Sequence, residues 1–111
     1  MKTDKNYIPQ RGDIVWIDFE PQSGKEIAKR RPGLILTGRE YNSFGLCLLC
    51  PITTKPKGRG LEVLLPDGER AILSDQVKSF DWRIRSAEFK EKADRQIVQR
   101  VIQKIAILLT Q

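Results

Sequence analysis

Apolar residues along this chain recur with two different periods. Between Asp13 and Glu20, Val15, Ile17 and Phe19 alternate with Trp16 and Asp18, the two-residue period of a strand with one half-buried face. Two short apolar runs, Pro32–Thr37 (PGLILT) and Gly45–Ile52 (GLCLLCPI), fit central strands, and GREYNSF between them predicts a turn or a single helical turn. Leu61–Leu65 and Arg70–Leu73 flank PDGE, a turn signal that makes them a hairpin. Val77–Arg85 (VKSFDWRIR) alternates again, bringing the expectation to about six short strands. From Ala93 the period changes. Ile97, Val98, Val101, Ile102, Ile105, Leu108 and Leu109 recur at spacings of three and four behind Asp94, which predicts a terminal helix with one apolar stripe packed on the sheet. Many short antiparallel strands and one packed helix point to a small β-barrel with a helical flank.

At 111 residues the chain reads as a single domain, residues 1–111, without repeats or a separating linker. No stretch approaches the ~18–20 apolar residues of a membrane span, and MKTDKNYIPQRGD lacks the apolar core of a secretory signal, so the expected compartment is the cytoplasm. The chain has no histidine and only two cysteines. That removes the commonest general base and any Cys/His zinc cluster, so no metal and no cofactor are expected. Cys47 and Cys50 have the spacing of a redox pair, yet they lie in an apolar run that buries at least one thiol.

Charge adds a direction. The formal net charge is +6, and residues 1–60 carry 11 basic and 6 acidic side chains. Two basic loops bracket strands expected to be neighbours. PQSGKEIAKRRP supplies Lys25, Lys29, Arg30 and Arg31, and TTKPKGRG supplies Lys55, Lys57 and Arg59. Their convergence at one end of a barrel would attract phosphate groups, with an affinity that falls as salt rises. Trp16, Tyr41 and Trp82 are candidates for stacking on unpaired bases, or else for core and interface packing.

Four segments in order, RGDIVWIDFEP, RRPGLIL, CPITTKPKG and LSDQVKSFDWR, resemble the MazF/PemK family of toxin endoribonucleases, the mRNA interferases of type II toxin–antitoxin systems. The resemblance covers roughly residues 9–109. It implies a mainly β fold, an SH3-like barrel of the MazF/PemK (CcdB-like) type with a C-terminal helix, which agrees with the periodicity. It also implies sequence-specific, metal-independent cleavage of single-stranded RNA by the ribose 2′-hydroxyl, leaving a 2′,3′-cyclic phosphate and a 5′-hydroxyl. Residue by residue, the family's catalytic arginine falls on Arg31, its threonine on Thr53 and its loop carboxylate on Glu26. The RNA-binding set becomes Lys25, Lys29, Arg30, Thr54, Lys55, Lys57, Gln76, Lys78, Arg83 and Trp16. The partners implied are single-stranded RNA, a second copy forming a homodimer, and an antitoxin with an acidic C-terminal segment; no membrane is involved.

The chemistry has a physical reason. RNA carries its own nucleophile, so a protein need only hold it in line, move a proton and stabilise charge on the phosphoryl oxygens. A guanidinium offers forked donors to phosphate and is a poor base, which assigns Arg31 to the developing charge. Thr53 would donate to the same phosphate, and Glu26 would orient Arg31 or act as base. The basic loops KEIAKRR and KPKGRG are distinctive to this chain, so a relative's cleavage sequence does not transfer. The alternative is a non-catalytic toxin on the same fold that poisons gyrase by protein contact at the terminal helix, but AILLTQ lacks an aromatic tip.

Overall fold

A computed structural model describes residues 6–19 and 30–111. Among these, seven strands form one antiparallel sheet: β1 (Asp13–Asp18), β2 (Arg30–Ile35), β3 (Leu46–Thr53), β4 (Glu62–Leu64), β5 (Ala71–Leu73), β6 (Lys78–Asp81) and β7 (Glu88–Lys92). The order is β4-β5-β3-β2-β1-β7, with β6 also on β3. The eight-residue β3 therefore carries β2 along one edge and β6 then β5 along the other. One helical turn, α1 (Arg39–Asn42), joins β2 to β3, and α2 (Arg95–Thr110) closes the chain behind Asp94 at its N-cap.

Both faces of the sheet are covered. On one face, Ile14, Leu34, Cys50, Ile52 and Ile72 pack under Ile97, Val98 and Val101 of α2. On the other, Val15, Ile17, Ile35, Cys47 and Leu49 pack with Phe80, Trp82 and Ala87, and Phe19 leans edge-on against Phe80 at 5.1 Å. Gly33 sits where β2 crosses that second layer. A Cβ there would lie 2.9 Å from Leu49 Cδ1 and 3.3 Å from Phe19 Cζ, so close approach of β2 and β3 requires glycine.

Three differences from the expected elements have physical causes. The strand expected over residues 77–85 stops at Asp81, whose Oδ1 accepts from the backbone N–H groups of Arg83 (3.2 Å) and Ile84 (3.1 Å) and turns the chain. Ile84, read as a buried alternation partner, is consequently 79% exposed. Strand β7, EFKEK, was not expected: it is an edge strand on β1, and its charged alternation carries no hydrophobic signal. Finally, the stripe on α2 is only half used. Ile97, Val98 and Val101 are buried, whereas Ile102, Leu108 and Leu109 remain exposed, Ile102 and Leu109 beside a hollow of about 990 Å³ between α2 and the β3–β6 edge.

Buried polar groups are mostly paired. Asp13 accepts from Tyr7 Oη (2.7 Å), the Gln10 N–H (3.0 Å) and Lys92 Nζ (2.7 Å), tying the N-terminal segment and β7 to β1. Burial and the adjacent Asp13 carboxylate push the Tyr7 hydroxyl well above its ordinary range. Asn42 donates to the carbonyls of Pro9 (2.8 Å) and Thr37 (2.9 Å), and its own carbonyl accepts from the Trp82 indole at 2.7 Å. The two thiols are buried on opposite faces, Cys47 in one layer and Cys50 in the other, as the odd spacing on a strand dictates. Burial pushes both up to about 12, which gives them the character of small apolar side chains rather than of a redox pair.

Candidate nucleic-acid interface

The register of β2 decides which arginine faces what. β2 pairs with β1 as Ile17↔Arg31 and Asp18↔Arg30, and partners opposite each other project to one side of a sheet. Arg31 therefore shares the face of Ile17, and Arg30 that of Asp18. Arg30 is taken up by the fold: it donates to Asp18 Oδ1 (3.1 Å), Glu88 Oε1 (3.0 Å) and the Ser86 carbonyl (2.7 Å). Arg31 is exposed, and its side chain makes no hydrogen bond or ion pair with a described residue.

β2 also pairs with β3, as Ile35↔Leu49, Leu34↔Cys50 and Gly33↔Pro51. The ladder ends at Gly33↔Pro51; continued two positions further, the same register would set Arg31 against Thr53 on one face of the sheet. Thr53 is the last residue of β3 and half-buried, opposite Ala71 of β5. Its Oγ1 accepts from the Lys55 N–H at 3.0 Å, which fixes the rotamer and leaves the hydroxyl proton free to donate outward. Thr54, Lys55, Lys57 and Arg59 follow as exposed residues of the basic loop, beginning at the same sheet end as Arg31.

The remaining expected residues are spread more widely. Glu26, Lys25 and Lys29 lie outside the described residues. Gln76 is exposed in a 3-10 turn, Ser74–Gln76, bordering a hollow of about 410 Å³ together with Arg59, Glu62 and Lys104. Lys78 opens β6 opposite Leu49, at the middle of β3. Arg83 belongs to the far end of β3: it stacks over the Trp82 ring at 4.7 Å and donates to the Ser43 carbonyl at 3.0 Å. Seven residues of strand separate Leu46 from Thr53, ~23 Å at the usual rise, so Arg83 and Thr53 mark two ends of a surface rather than one cluster. Trp16 is 37% exposed with Lys90 Nζ 5.4 Å from its ring centre, on the face of Arg30. Trp82, a candidate for base stacking, is instead 6% exposed and packed in the core, while Tyr41 stays exposed.

Two residues that pattern reading passes over shape this surface. Arg85 donates to the carbonyls of Asp18 (3.1 Å) and Phe19 (2.6 Å), holding the end of β1, with its guanidinium 4.9 Å from the Phe80 ring centre. Glu62 accepts from the backbone of the basic loop. Neither stands out in hydropathy, because their partners are backbone groups that only the fold brings close. Among the described residues, no three His, Cys, Asp or Glu side chains gather in an arrangement that could hold a metal ion.

Residues 10–109 match the family model described as PemK-like, MazF-like toxin of type II toxin-antitoxin system. The chain belongs to the PemK/MazF toxin family. Within that family, the endoribonuclease toxin MazF of Escherichia coli K12 is 42% identical over 106 residues, spanning 93% of this chain and 96% of that protein. The endoribonuclease toxin ChpB of the same organism is 29% identical over 104 residues, covering 86% of this chain and 90% of its own length. Among solved structures, a MazE-MazF crystal structure (Form-II) from Deinococcus radiodurans superposes with a TM-score of 0.88 at 39% identity, covering 94% of this chain and 97% of that one. MazF (Form-I) from the same organism gives 0.85 at 38% identity over 96% and 100% of the two chains. The mainly β architecture with a C-terminal helix is thus the PemK/MazF fold.

Proposed function

We propose that this chain, read as one domain over residues 1–111, is the toxin of a type II toxin–antitoxin module and a sequence-specific endoribonuclease of single-stranded RNA. The observation that supports the reading is the β2–β3 register, which, continued past Gly33↔Pro51, would set Arg31 against Thr53 at the sheet end where the exposed basic loop begins. In the reaction the ribose 2′-oxygen attacks the adjacent phosphorus and the bond to the 5′-oxygen breaks. The proton leaves the 2′-oxygen and one is delivered to the 5′-oxygen, giving a cyclic phosphate and a 5′-hydroxyl. Arg31 neutralises the phosphoryl oxygens with forked donors, Thr53 donates through its free proton, and Glu26 is the candidate to orient Arg31 or accept the 2′-proton. Each of these steps is supplied by side chains and substrate, without a metal or cofactor. Lys25, Lys29, Arg30, Thr54, Lys55, Lys57, Gln76, Lys78, Arg83 and Trp16 make up the proposed RNA-contacting set.

The MazE-MazF assembly seen for the Deinococcus relatives supports an antitoxin partner, whose acidic C-terminal segment suits the positive balance of residues 1–60. A homodimer is supported by the apolar side chains that α2 leaves exposed, and a second copy would complete the groove. The cytoplasm, where messenger RNA is translated, is the proposed compartment, and among the described residues no helix is long and apolar enough to cross a membrane.

The test is incubation of the purified protein with a long single-stranded RNA in EDTA, followed by sequencing of fragment ends. Fragments that begin after one recurrent motif and carry 5′-hydroxyls support the reading. Intact RNA, or cleavage retained by both Arg31→Ala and Thr53→Ala, overturns it.

A further inference from the structure

The loop from Thr54 to Gly60 carries three cations, and none of them enters an ion pair with a described residue. The backbone of the loop, in contrast, is fastened at nearly every residue. Lys55 N–H donates to Thr53 Oγ1 at 3.0 Å. Lys57 N–H donates to both carboxylate oxygens of Glu62, at 3.0 and 3.2 Å, and Gly58 N–H to one of them at 3.0 Å. The Glu62 N–H returns a bond to the Arg59 carbonyl at 3.0 Å, and Lys104 Nζ of α2 donates to the Gly60 carbonyl at 2.6 Å. Two successive amides can converge on one carboxylate only if the chain turns sharply, and Gly58 supplies that turn with φ +74°.

This arrangement separates the charge of Glu62 from the charges it organises. A carboxylate near three cations would ordinarily pair with them and cancel them. Here its oxygens are occupied by backbone N–H groups, so Lys55, Lys57 and Arg59 stay exposed and available to phosphates. Glu62 itself is half-buried on β4, opposite Leu73, and borders the same hollow as Gln76 and Arg59. A seven-residue loop left free would have to be ordered anew by each substrate, and ordering it beforehand lowers the cost of binding.

We infer that Glu62 is a positioning residue that presets the basic loop, and through it RNA affinity and the selection of the cleavage sequence. The inference rests on the endoribonuclease reading above. Glu62 touches no reacting atom in this scheme. It acts on Lys55, Lys57 and Arg59 through the backbone, so its loss weakens substrate capture more than turnover of bound substrate.

The experiment compares the unmodified protein with Glu62→Ala, Glu62→Gln and Gly58→Ala. Each is followed by melting temperature, by steady-state cleavage of a short RNA bearing the motif found for the unmodified protein, and by end sequencing on a long RNA. Gly58→Ala removes no charge and disturbs only the turn, so it reaches the loop by an independent route and stands in if Glu62→Ala folds poorly. Glu62→Ala and Gly58→Ala are expected to raise KM ~10-fold while kcat stays within about threefold, and to broaden the bases accepted around the cut. Glu62→Gln, which keeps one acceptor oxygen, falls between. Unchanged KM and motif overturn the inference, as does a fall in kcat at constant KM that follows the loss of folded protein. Absence of any cleavage by the unmodified protein overturns the endoribonuclease reading and this inference with it.

Discussion

The neighbouring arginines of β2 provide the sharpest perturbation, because adjacent positions on a strand face opposite ways and the two side chains have opposite situations. Arg31→Ala removes an exposed guanidinium without a described partner, and a surface change of this kind shifts stability by no more than about 0.5 kcal/mol. For a ~100-residue domain that corresponds to a melting shift within about 2–4 °C. If Arg31 faces the transferring phosphoryl group, the same change costs ~10²–10³ in kcat, the scale of losing one preorganised donor. Arg30→Ala does the reverse. It breaks two partly exposed ion pairs, to Asp18 and Glu88, and a bond to the Ser86 carbonyl. Exposed pairs contribute about 0.2–1 kcal/mol each, so with the carbonyl bond the loss is ~1.5 kcal/mol and the melting temperature falls by ~6–12 °C. Activity, read at a temperature where both variants are folded, drops at most ~10-fold through weakened phosphate attraction. Thermal melting by fluorescence and initial rates on a single-site RNA read the two effects separately. An Arg31→Ala protein that keeps more than a tenth of the rate, or that melts below Arg30→Ala, refutes the assignment of faces.

Further outcomes follow from other parts of the structure. The double variant Arg31→Ala/Thr53→Ala is expected to lose scarcely more activity than the worse single variant, because both act on one phosphate; full additivity in log kcat would show that they act independently. Gly33→Ala should destabilise by ~1–3 kcal/mol, since its Cβ meets Leu49 Cδ1 at 2.9 Å, and in a double-mutant cycle read by denaturant titration it should cost less when introduced into Leu49→Ala, itself destabilised by the loss of a buried side chain. Cys47 and Cys50 are held protonated in the fold up to about 12, above the ordinary thiol value of 9.0, so their contribution is fully present below pH 9 and is lost as pH rises toward 12. Melting temperature should fall across that window, less so in Cys47→Ala/Cys50→Ala, and native thiols should resist alkylation near neutral pH. Arg70 Nη1, donating at 2.8 Å, holds Glu91 below the usual carboxylate range, and the exposed Asp67 is lowered first by the Glu69 N–H at 2.8 Å and then by Arg70 Nε at 2.7 Å. The stabilisation is present above the ordinary carboxylate values and lost as pH falls through the lowered ones, so Arg70→Met should flatten the acid limb of the stability profile.

What was legible in the sequence depended on whether its cause was local. Helix α2 begins behind Asp94 and buries Ile97, Val98 and Val101, because a three-to-four spacing of apolar residues specifies a helix and its face by itself. The hairpin around PDGE was equally readable: Asp67 Oδ1 accepts from the Glu69 and Arg70 N–H groups, a turn built from its own side chain. Strand β7 was hidden for the opposite reason. Its residues are held by pairing with β1 and by Tyr7 against Phe89 at 6.2 Å, contacts made across more than seventy residues, and its own sequence EFKEK carries the charge that blunts a sheet edge. Around Asp81 the alternation VKSFDWRIR was misleading because period two holds only while the chain stays extended, and one carboxylate capping two amides is enough to end it.

The site divides along the same line. The resemblance to the toxin family pointed to Arg31 and Thr53, but nothing in RRPGLIL itself says which arginine is left without a partner among the described residues. That follows from register: pairing Asp18 with Arg30 hands Arg30 to a carboxylate, and pairing Ile17 with Arg31 leaves Arg31 at the open end of an apolar layer. A one-residue slip of β2 that set Arg31 opposite Asp18 would send it toward those ion pairs and leave Pro32, which has no donor, opposite Ile17 in its place. Gly33 is the element that forbids the slip, because any other residue placed between Leu49 and Phe19 would have to displace them. The catalytic geometry proposed here is therefore maintained two residues away from Arg31, by a position with no side chain. A register-shifted Gly33→Val protein would be expected to fail in cleavage even where its sheet still forms, and infrared or circular dichroism signatures of an intact sheet together with lost activity would separate that outcome from unfolding.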